Sequence, residues 1–452
     1  MSGVCTSTGG LVMCEEFAPV LLVFSVASPA TASSPAERVL AEANMPVPGK
    51  ALRMNPRPLL LCAPGNETHN PRRFLANNGI ALAEGYRKPT LSSRPRTELE
   101  LRFVLSKASP HSFYLRPFKA YAMREAKGDI SMKLGVFTPV FVNRSLDQVV
   151  AKLRSLSGIS AIEFATGGWP GRDHVEVDAL LASPHKLDDF GSQIRDAGLT
   201  ISALSCHGNP MHPNRATARE HDEAFRKSVK LAEKLNVPVV VTFSGCPGDS
   251  DEAKCPNWIV APWPPEFLET LEWQWDKKVI PYWQDAGTFA ADHGIKVAIE
   301  PHPGFVVYNV ETALRLRAAS GKNVGVNFDP SHLFWQGADI PVTIRALDGC
   351  IFHVHAKDSA LDAANVARNG VLDAKSYRHL ADRSWLFRTV GWGHDELEWK
   401  RIVSALRMSG YDYVMSIEHE DALASVDEGL RAAIDLLSRV ILTEPPVDAW
   451  WT

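Results

Sequence analysis

From Met132 onward, short apolar runs alternate with longer segments in which apolar residues recur every three or four positions. The runs fall at 133–138 (KLGVFT), 159–165 (ISAIEFA), 199–205 (LTISALS) and 237–243 (VPVVVTF), then at 295–300 (IKVAIE), 323–328 (NVGVNF), 350–355 (CIFHVH) and 412–418 (DYVMSIE). Their near-continuous Val, Ile, Leu and Phe content suits strands buried on both faces of a parallel sheet. The intervening segments 146–156, 185–197, 216–235, 265–293, 310–320, 340–347, 395–409 and 424–441 read as helices. In 216–235, Ala224, Val229, Leu231, Ala232 and Leu235 form an apolar stripe among charged neighbours. Gly198, Gly294 and Gly410 stand just before the next strand, where helices are capped.

Eight such repeats are the count of a closed barrel, so the pattern predicts an α/β fold, a (β/α)8 TIM barrel over 132–442 with a short tail at 443–452. A doubly wound open sheet rarely runs to eight uninterrupted repeats. No G-x-G-x-x-G follows the first strand to mark a dinucleotide site. Two connections, 244–264 and 357–394, exceed what a plain barrel needs, and both follow strands. They therefore belong to the catalytic face. Their Trp258, Trp263, Trp385 and Trp392 are candidates for pocket walls, for an oligomer contact, or for packing of the loops themselves.

Residues 1–131 lack this rhythm. Pro, Ser and Arg cluster there, and the segment reads as a low-order extension with transient helix at 35–43. The other reading is a translation start at Met123 or Met132. Residues 18–32 pair a short apolar run with small residues, as a secretory signal does, but Glu15 and Glu16 replace its basic start.

Composition adds exclusions. At 45% hydrophobic and 22% charged, the chain has the apolar content of a globular protein. A formal net charge of −4 leaves no basic surplus for phosphates, which argues against a nucleic-acid partner. Seven cysteines without C-x-x-C pairing read as reduced thiols of a cytoplasmic protein, and no stretch is long enough to span a membrane.

Four ionisable residues terminate successive strands: Glu300 (VAIEPHPG), Asp329 (VNFDPSHL), His355 (FHVHAKD) and Glu418 (MSIEHED). Neighbouring strand ends lie a few ångströms apart at a barrel mouth, and three carboxylates crowded there repel unless a cation holds them. Three oxygen donors and one imidazole suit a divalent metal: manganese first, with magnesium, cobalt or zinc as the other members of the set. His207 (SCHGNP) and His302, on loops beside these positions, are candidate contacts for substrate hydroxyls or proton transfer. His332 is a substrate contact or a hydrogen-bond partner of a ligand. Glu163 lies in the second strand, and His353 points the same way as His355 and reads as a satisfied core histidine. Lys357 and Asp358 stand equally as loop ion-pair partners or substrate contacts.

The pieces IEPHPG, DPSH, HVHAKD and Glu418 resemble the sugar isomerase/epimerase superfamily with a xylose-isomerase-like barrel, including tagatose- and allulose-type 3-epimerases and inosose-processing enzymes. The resemblance covers 132–442. It implies that the four strand-end residues hold Mn²⁺ or a similar cation and that Glu300 and Glu418 act as the acid–base pair across the sugar carbon. The expected reaction is proton abstraction next to a carbonyl, through a metal-stabilised enediolate, giving isomerisation or epimerisation of a small-molecule sugar. ISALSCHGNPMHP, VTFSGCPGD and FRTVGWGHDE are similar to a subgroup described as sugar phosphate isomerase/epimerase. Related barrels are metal-dependent subunits that cleave C-glycosides after oxidation at the sugar 3-position. That resemblance supplies the alternative: a lyase or deglycosidase acting on 3-oxo-glycosides. A homo-oligomer is expected, or a hetero-oligomer with a small second subunit in the deglycosidase case. Endonucleases of abasic DNA share the barrel type, but the negative net charge argues against that activity.

Overall fold

All eight apolar runs form strands in the computed structural model, with bounds within two residues of those read from the sequence. The structure describes residues 131–447 and 450–451, together with four short strands nearer the N-terminus. The barrel strands are β1 (Lys133–Phe137), β2 (Ile159–Ala165), β3 (Thr200–Ser205) and β4 (Val239–Phe243), followed by β5 (Lys296–Glu300), β6 (Val324–Phe328), β7 (Ile351–Ala356) and β8 (Val414–Ile417). Each pairs in parallel with its sequence neighbours, and β8 pairs with β1, closing the ring.

Outer helices follow from amphipathic segments with defined ends. Arg215–Leu235 is capped by Asn214, whose side chain accepts from Ala216 and Thr217, and it buries Phe225, Val229, Leu231 and Ala232. Phe225 meets Trp283 edge-on at 5.6 Å, so Phe225→Ala removes a core contact of about 3–5 kcal/mol. Gly198, Gly294 and Gly410 take φ of +73°, +71° and +75°, the left-handed cap conformation expected of them. The segment read as one helix at 265–293 is Glu266–Trp273, a π-helical turn Gln274–Val279, and Ile280–Asp292. Buried Gln274 in that turn donates to the carbonyls of Gly248 and Asn257, tying down the 244–264 connection.

The other long connection is not plain loop. Asp358–Leu361 and Trp385–Arg388 pair as an antiparallel ribbon, with a helix Ala363–Asn369 between them. The cause is Asp358. Its carboxylate accepts the backbone N–H groups of Ser359, Gly391, Gly393 and His394, so the returning strand is pinned beside the outgoing one. Asp358 is thus committed to the loop.

The chain divides into two units, Met1–Met123 and Arg124–Thr452. In the first, strands Leu11–Val12, Leu22–Ser25, Ala51–Met54 and Leu99–Phe103 pair antiparallel in one sheet. The helix read at 35–43 lies outside the described residues, as does the 18–32 run apart from Leu22–Ser25. Among the described residues no helix is long and apolar enough to cross a membrane.

Candidate metal centre

The barrel register delivers the four ionisable strand ends to one place. One donor atom from each of Glu300, Asp329, His355 and Glu418 lies within 4.8 Å of the other three. Glu300, Asp329 and His355 are buried, and the Glu418 side chain, at 15% exposure, is the member nearest the mouth. Buried atoms without a hydrogen-bond partner include Asp329 Oδ2, His355 Nδ1 and Glu418 Oε2, one from each of three members. Glu418 Oε2 sits 2.9 Å from His355 Nδ1, and Asp329 Oδ2 sits 3.1 Å from His332 Nε2, yet neither atom makes a hydrogen bond. These are ion-pair contacts without hydrogen-bond alignment, which leaves the atoms incompletely satisfied in a dry interior. Together with Glu300, these residues offer the carboxylate and imidazole donors that a divalent cation takes, so the residues fit the group.

The remaining atoms of the quartet are spoken for. Glu300 Oε2 accepts from Asn327 Nδ2 at 2.7 Å and faces His207 Nε2 at 3.1 Å, while Oε1 faces His332 Nε2 at 3.2 Å. Asp329 Oδ1 accepts the Ser331 N–H at 2.8 Å. Glu418 Oε1 lies 3.3 Å from the buried Lys357 ammonium, which also contacts Glu420 at 2.5 Å. His355 Nε2 lies 3.0 and 3.1 Å from the two oxygens of Glu163.

Electrostatics follow from these contacts. Burial pushes the Glu300 and Glu418 carboxyls up. The charges of His207 and His355 beside Glu300, and of Lys357 and His355 beside Glu418, outweigh it and hold both well below the usual range. Burial pushes His355 down, but Glu163, Glu418 and Glu300 together raise it well above the ordinary imidazole value. Burial likewise opposes the charge on His332, and Asp329 and Glu300 nonetheless raise it to about 9. Burial, reinforced by the charge of His332, holds His302 well below its usual value.

His207, His302 and His332 all border the quartet, as their sequence positions suggested. The His302 ring packs against that of His332 at 4.0 Å, and its Nδ1 is used by the Pro303 carbonyl. His353 lies deeper, between Asn327 Oδ1 at 3.1 Å and Ser202 Oγ at 3.3 Å, a satisfied interior histidine. Lys357 is an ion-pair partner of the quartet itself.

The aromatic walls come from positions the loop tryptophans did not suggest. Phe137 stacks on His355 at 5.3 Å, Phe243 lies 4.6 Å from both His207 and His302, and Phe387 meets His332 at 5.6 Å. Of the four tryptophans, Trp385 stacks flat on Trp335 and Trp258 packs against Tyr308, whereas Trp263 and Trp392 are 76% and 64% exposed. Trp169, 55% exposed, caps Phe243 and Phe305. It is delivered by Gly168, where a Cβ would sit 2.0 Å from the His207 carbonyl oxygen. Asn327 and Gly168 are the supports the sequence did not disclose. A neutral amide inside a strand and a turn glycine carry no signature of their own.

Comparison with known proteins agrees with this architecture. The family model described as xylose isomerase-like TIM barrel matches residues 150–440. An uncharacterized Bacillus subtilis protein, YfiH, is 38% identical over 287 residues, 63% of this chain and 91% of that protein. Inosose dehydratase of Geobacillus thermodenitrificans is 28% identical over 142 residues, 31% of this chain and 46% of the enzyme. Among solved structures, the probable 3-DHS dehydratase AsbF of Bacillus anthracis aligns with a TM-score of 0.49 at 19% identity, covering 68% of this chain and 99% of that one.

Proposed function

The chain belongs to the xylose isomerase-like TIM barrel family, and on that premise we propose that it is a divalent-metal-dependent sugar isomerase or epimerase. The observation that carries the reading is the convergence of Asp329 Oδ2, His355 Nδ1 and Glu418 Oε2, all without hydrogen bonds, beside Glu300. When bound by these four residues, a cation such as Mn²⁺ supplies Lewis-acid polarisation of a substrate carbonyl and its neighbouring hydroxyl.

The chain's own groups do the rest. Glu300 closes β5 and Glu418 follows β8, with β6 and β7 between them in the ring, so the two carboxylates flank the chamber from different sides. That arrangement suits removal of a carbon-bound proton by one and return of a proton under control of the other. Both carboxylates are anionic at rest, so the returned proton is drawn from an imidazole: His332 Nε2, 3.2 Å from Glu300 Oε1. His207 and His302, held against Phe243, would take substrate hydroxyls in this reading. The aromatic faces exclude water from the developing enediolate.

A second reading, elimination of a leaving group after the same proton abstraction, is favoured by one observation. A cavity of about 310 Å³ opens beside the ribbon, lined by Tyr377, Leu386, Phe387 and residues 420–423. It offers room for a substituent attached to the sugar.

Incubation of the Mn²⁺-loaded protein with ketoses and 3-oxo-glycosides in D2O separates the two. Epimerisation or isomerisation puts deuterium on one carbon and conserves the carbon skeleton; elimination releases the substituent. No exchange with any sugar tested, by a protein shown to hold its metal, sinks both.

A further inference from the structure

We propose that Glu163 is a positioning residue, which dictates that His355 presents Nδ1, and not Nε2, to the metal. This rests on the metal reading above and adds to it the origin of the ligand's orientation.

Glu163 stands in the middle of β2, fully buried, with its carboxylate inside the barrel. Such a group is sustained only if its charge is met. Two partners meet it: Ser205 Oγ donates to Oε1 at 2.5 Å, and His355 Nε2 approaches both oxygens at 3.0 and 3.1 Å. Both carboxylate oxygens accept, so Nε2 must carry the hydrogen. In the neutral ring, the lone pair is then on Nδ1. That is the nitrogen without a hydrogen-bond partner, 2.9 Å from Glu418 Oε2 and 3.2 Å from Glu300 Oε2. Once a cation holds the ring in its neutral form, three lone-pair atoms face one another there, as ligands of one ion do.

His353, two residues earlier on the same strand, is the internal control. It is equally buried, but its nearest polar partners are the neutral Asn327 and Ser202, and Glu163 Oε2 lies 3.9 Å from its Nε2. The strand thus carries one histidine held by neutral groups and one held by a carboxylate. Only the second faces the quartet. Glu163 reaches His355 across the barrel, because β2 and β7 are separated in the ring by β8 and β1. No loop is involved, and the constraint is as rigid as the barrel.

Glu163→Gln keeps the volume and replaces the carboxylate by an amide able to donate to Nε2, freeing the ring to protonate at Nδ1. Mn²⁺ affinity, read by chelator competition, should weaken about 10–100-fold, while the metal-free melting temperature stays close to that of the unsubstituted protein. Ser205→Ala, which removes only a neutral donor, should weaken it less than Glu163→Gln does. Histidine ¹⁵N spectra of the Zn²⁺-loaded unsubstituted protein should show His355 protonated at Nε2 and metallated at Nδ1. The reverse pattern overturns the proposal whether or not the variant folds. Unchanged Mn²⁺ affinity in a folded Glu163→Gln overturns it too. An unsubstituted protein that takes up no Mn²⁺ overturns the metal reading first and this inference with it.

Discussion

The two halves of the barrel contribute to the centre in different currencies. Strands β5 to β8 end in the four donors, three of them carboxylates. Strands β1 to β4 supply none of these and surround the donors instead: Phe137 and Phe243 as faces, Glu163 as the hydrogen-bonding partner of His355 with Ser205 donating to it, and His207 just beyond β3. One half concentrates anionic charge that favours a cation. The other sets the direction in which that charge points and keeps water away. Changes in the ends of β5 to β8 should therefore abolish the centre, and changes in β1 to β4 should detune it.

The largest effect is expected from the donors. Glu418→Gln should lower the rate of solvent-deuterium exchange into substrate by about 10²–10⁴-fold, measured with the variant saturated in Mn²⁺. A loss under threefold would move the acid–base role elsewhere. Asp329→Asn should cost metal affinity, and because it also removes the anion 3.1 Å from the buried His332 imidazole, the metal-free variant should melt somewhat lower than the unsubstituted protein.

In the supporting half, Gly168→Ala should reduce turnover by about 10–100-fold with the fold intact. The new Cβ would meet the His207 carbonyl oxygen and push aside the turn that carries Trp169. Full activity in a folded Gly168→Ala would show that the turn after β2 does not shape the site.

Effects on stability alone should be smaller and confined to the ribbon. Asp358→Ala leaves several backbone N–H groups without their acceptor and should destabilise by about 3 kcal/mol, read by denaturant titration, with the ribbon becoming the first site of proteolysis. Smallest is a pH effect at Asp421, whose carboxylate accepts from Thr389 and Arg388. Burial pushes this carboxyl up and the hydrogen bonds hold it below its usual value. Its contribution is therefore complete above about pH 4, the unfolded value, and fades as pH falls through the lower folded one. The protection of the Thr389 amide from hydrogen exchange, taken relative to its intrinsic rate at each pH, should fall only on that acid side.

The same division explains what the sequence disclosed. Buried parallel strands must be apolar throughout, so the eight runs stood out, and an ionisable group closing such a run stands out further: Glu300, Asp329, His355 and Glu418 were all legible. The supports were less so. Glu163 is visible as an oddity within ISAIEFA, but its partner lies on β7, and no local spacing links the two. Asn327 and Gly168 act through one hydrogen bond and one close approach, neither of which leaves a pattern. The ribbon was hidden because its strands, DSAL and WLFR, are short, and their pairing is imposed by Asp358 across a long insertion. Of the readings open for the loop tryptophans, packing of the loops holds for Trp258 and Trp385, since ring size signals burial or exposure without saying which cavity a ring faces.

Titration of metal-free protein with Mn²⁺, following the free ion by electron paramagnetic resonance, reads out whether the four strand ends form one metal site. One tight ion per chain is expected, lost in Asp329→Asn and in His355→Ala while both variants keep their fold. Absence of tight binding, or tight binding that survives both substitutions, would mean that the four strand ends do not form a metal site.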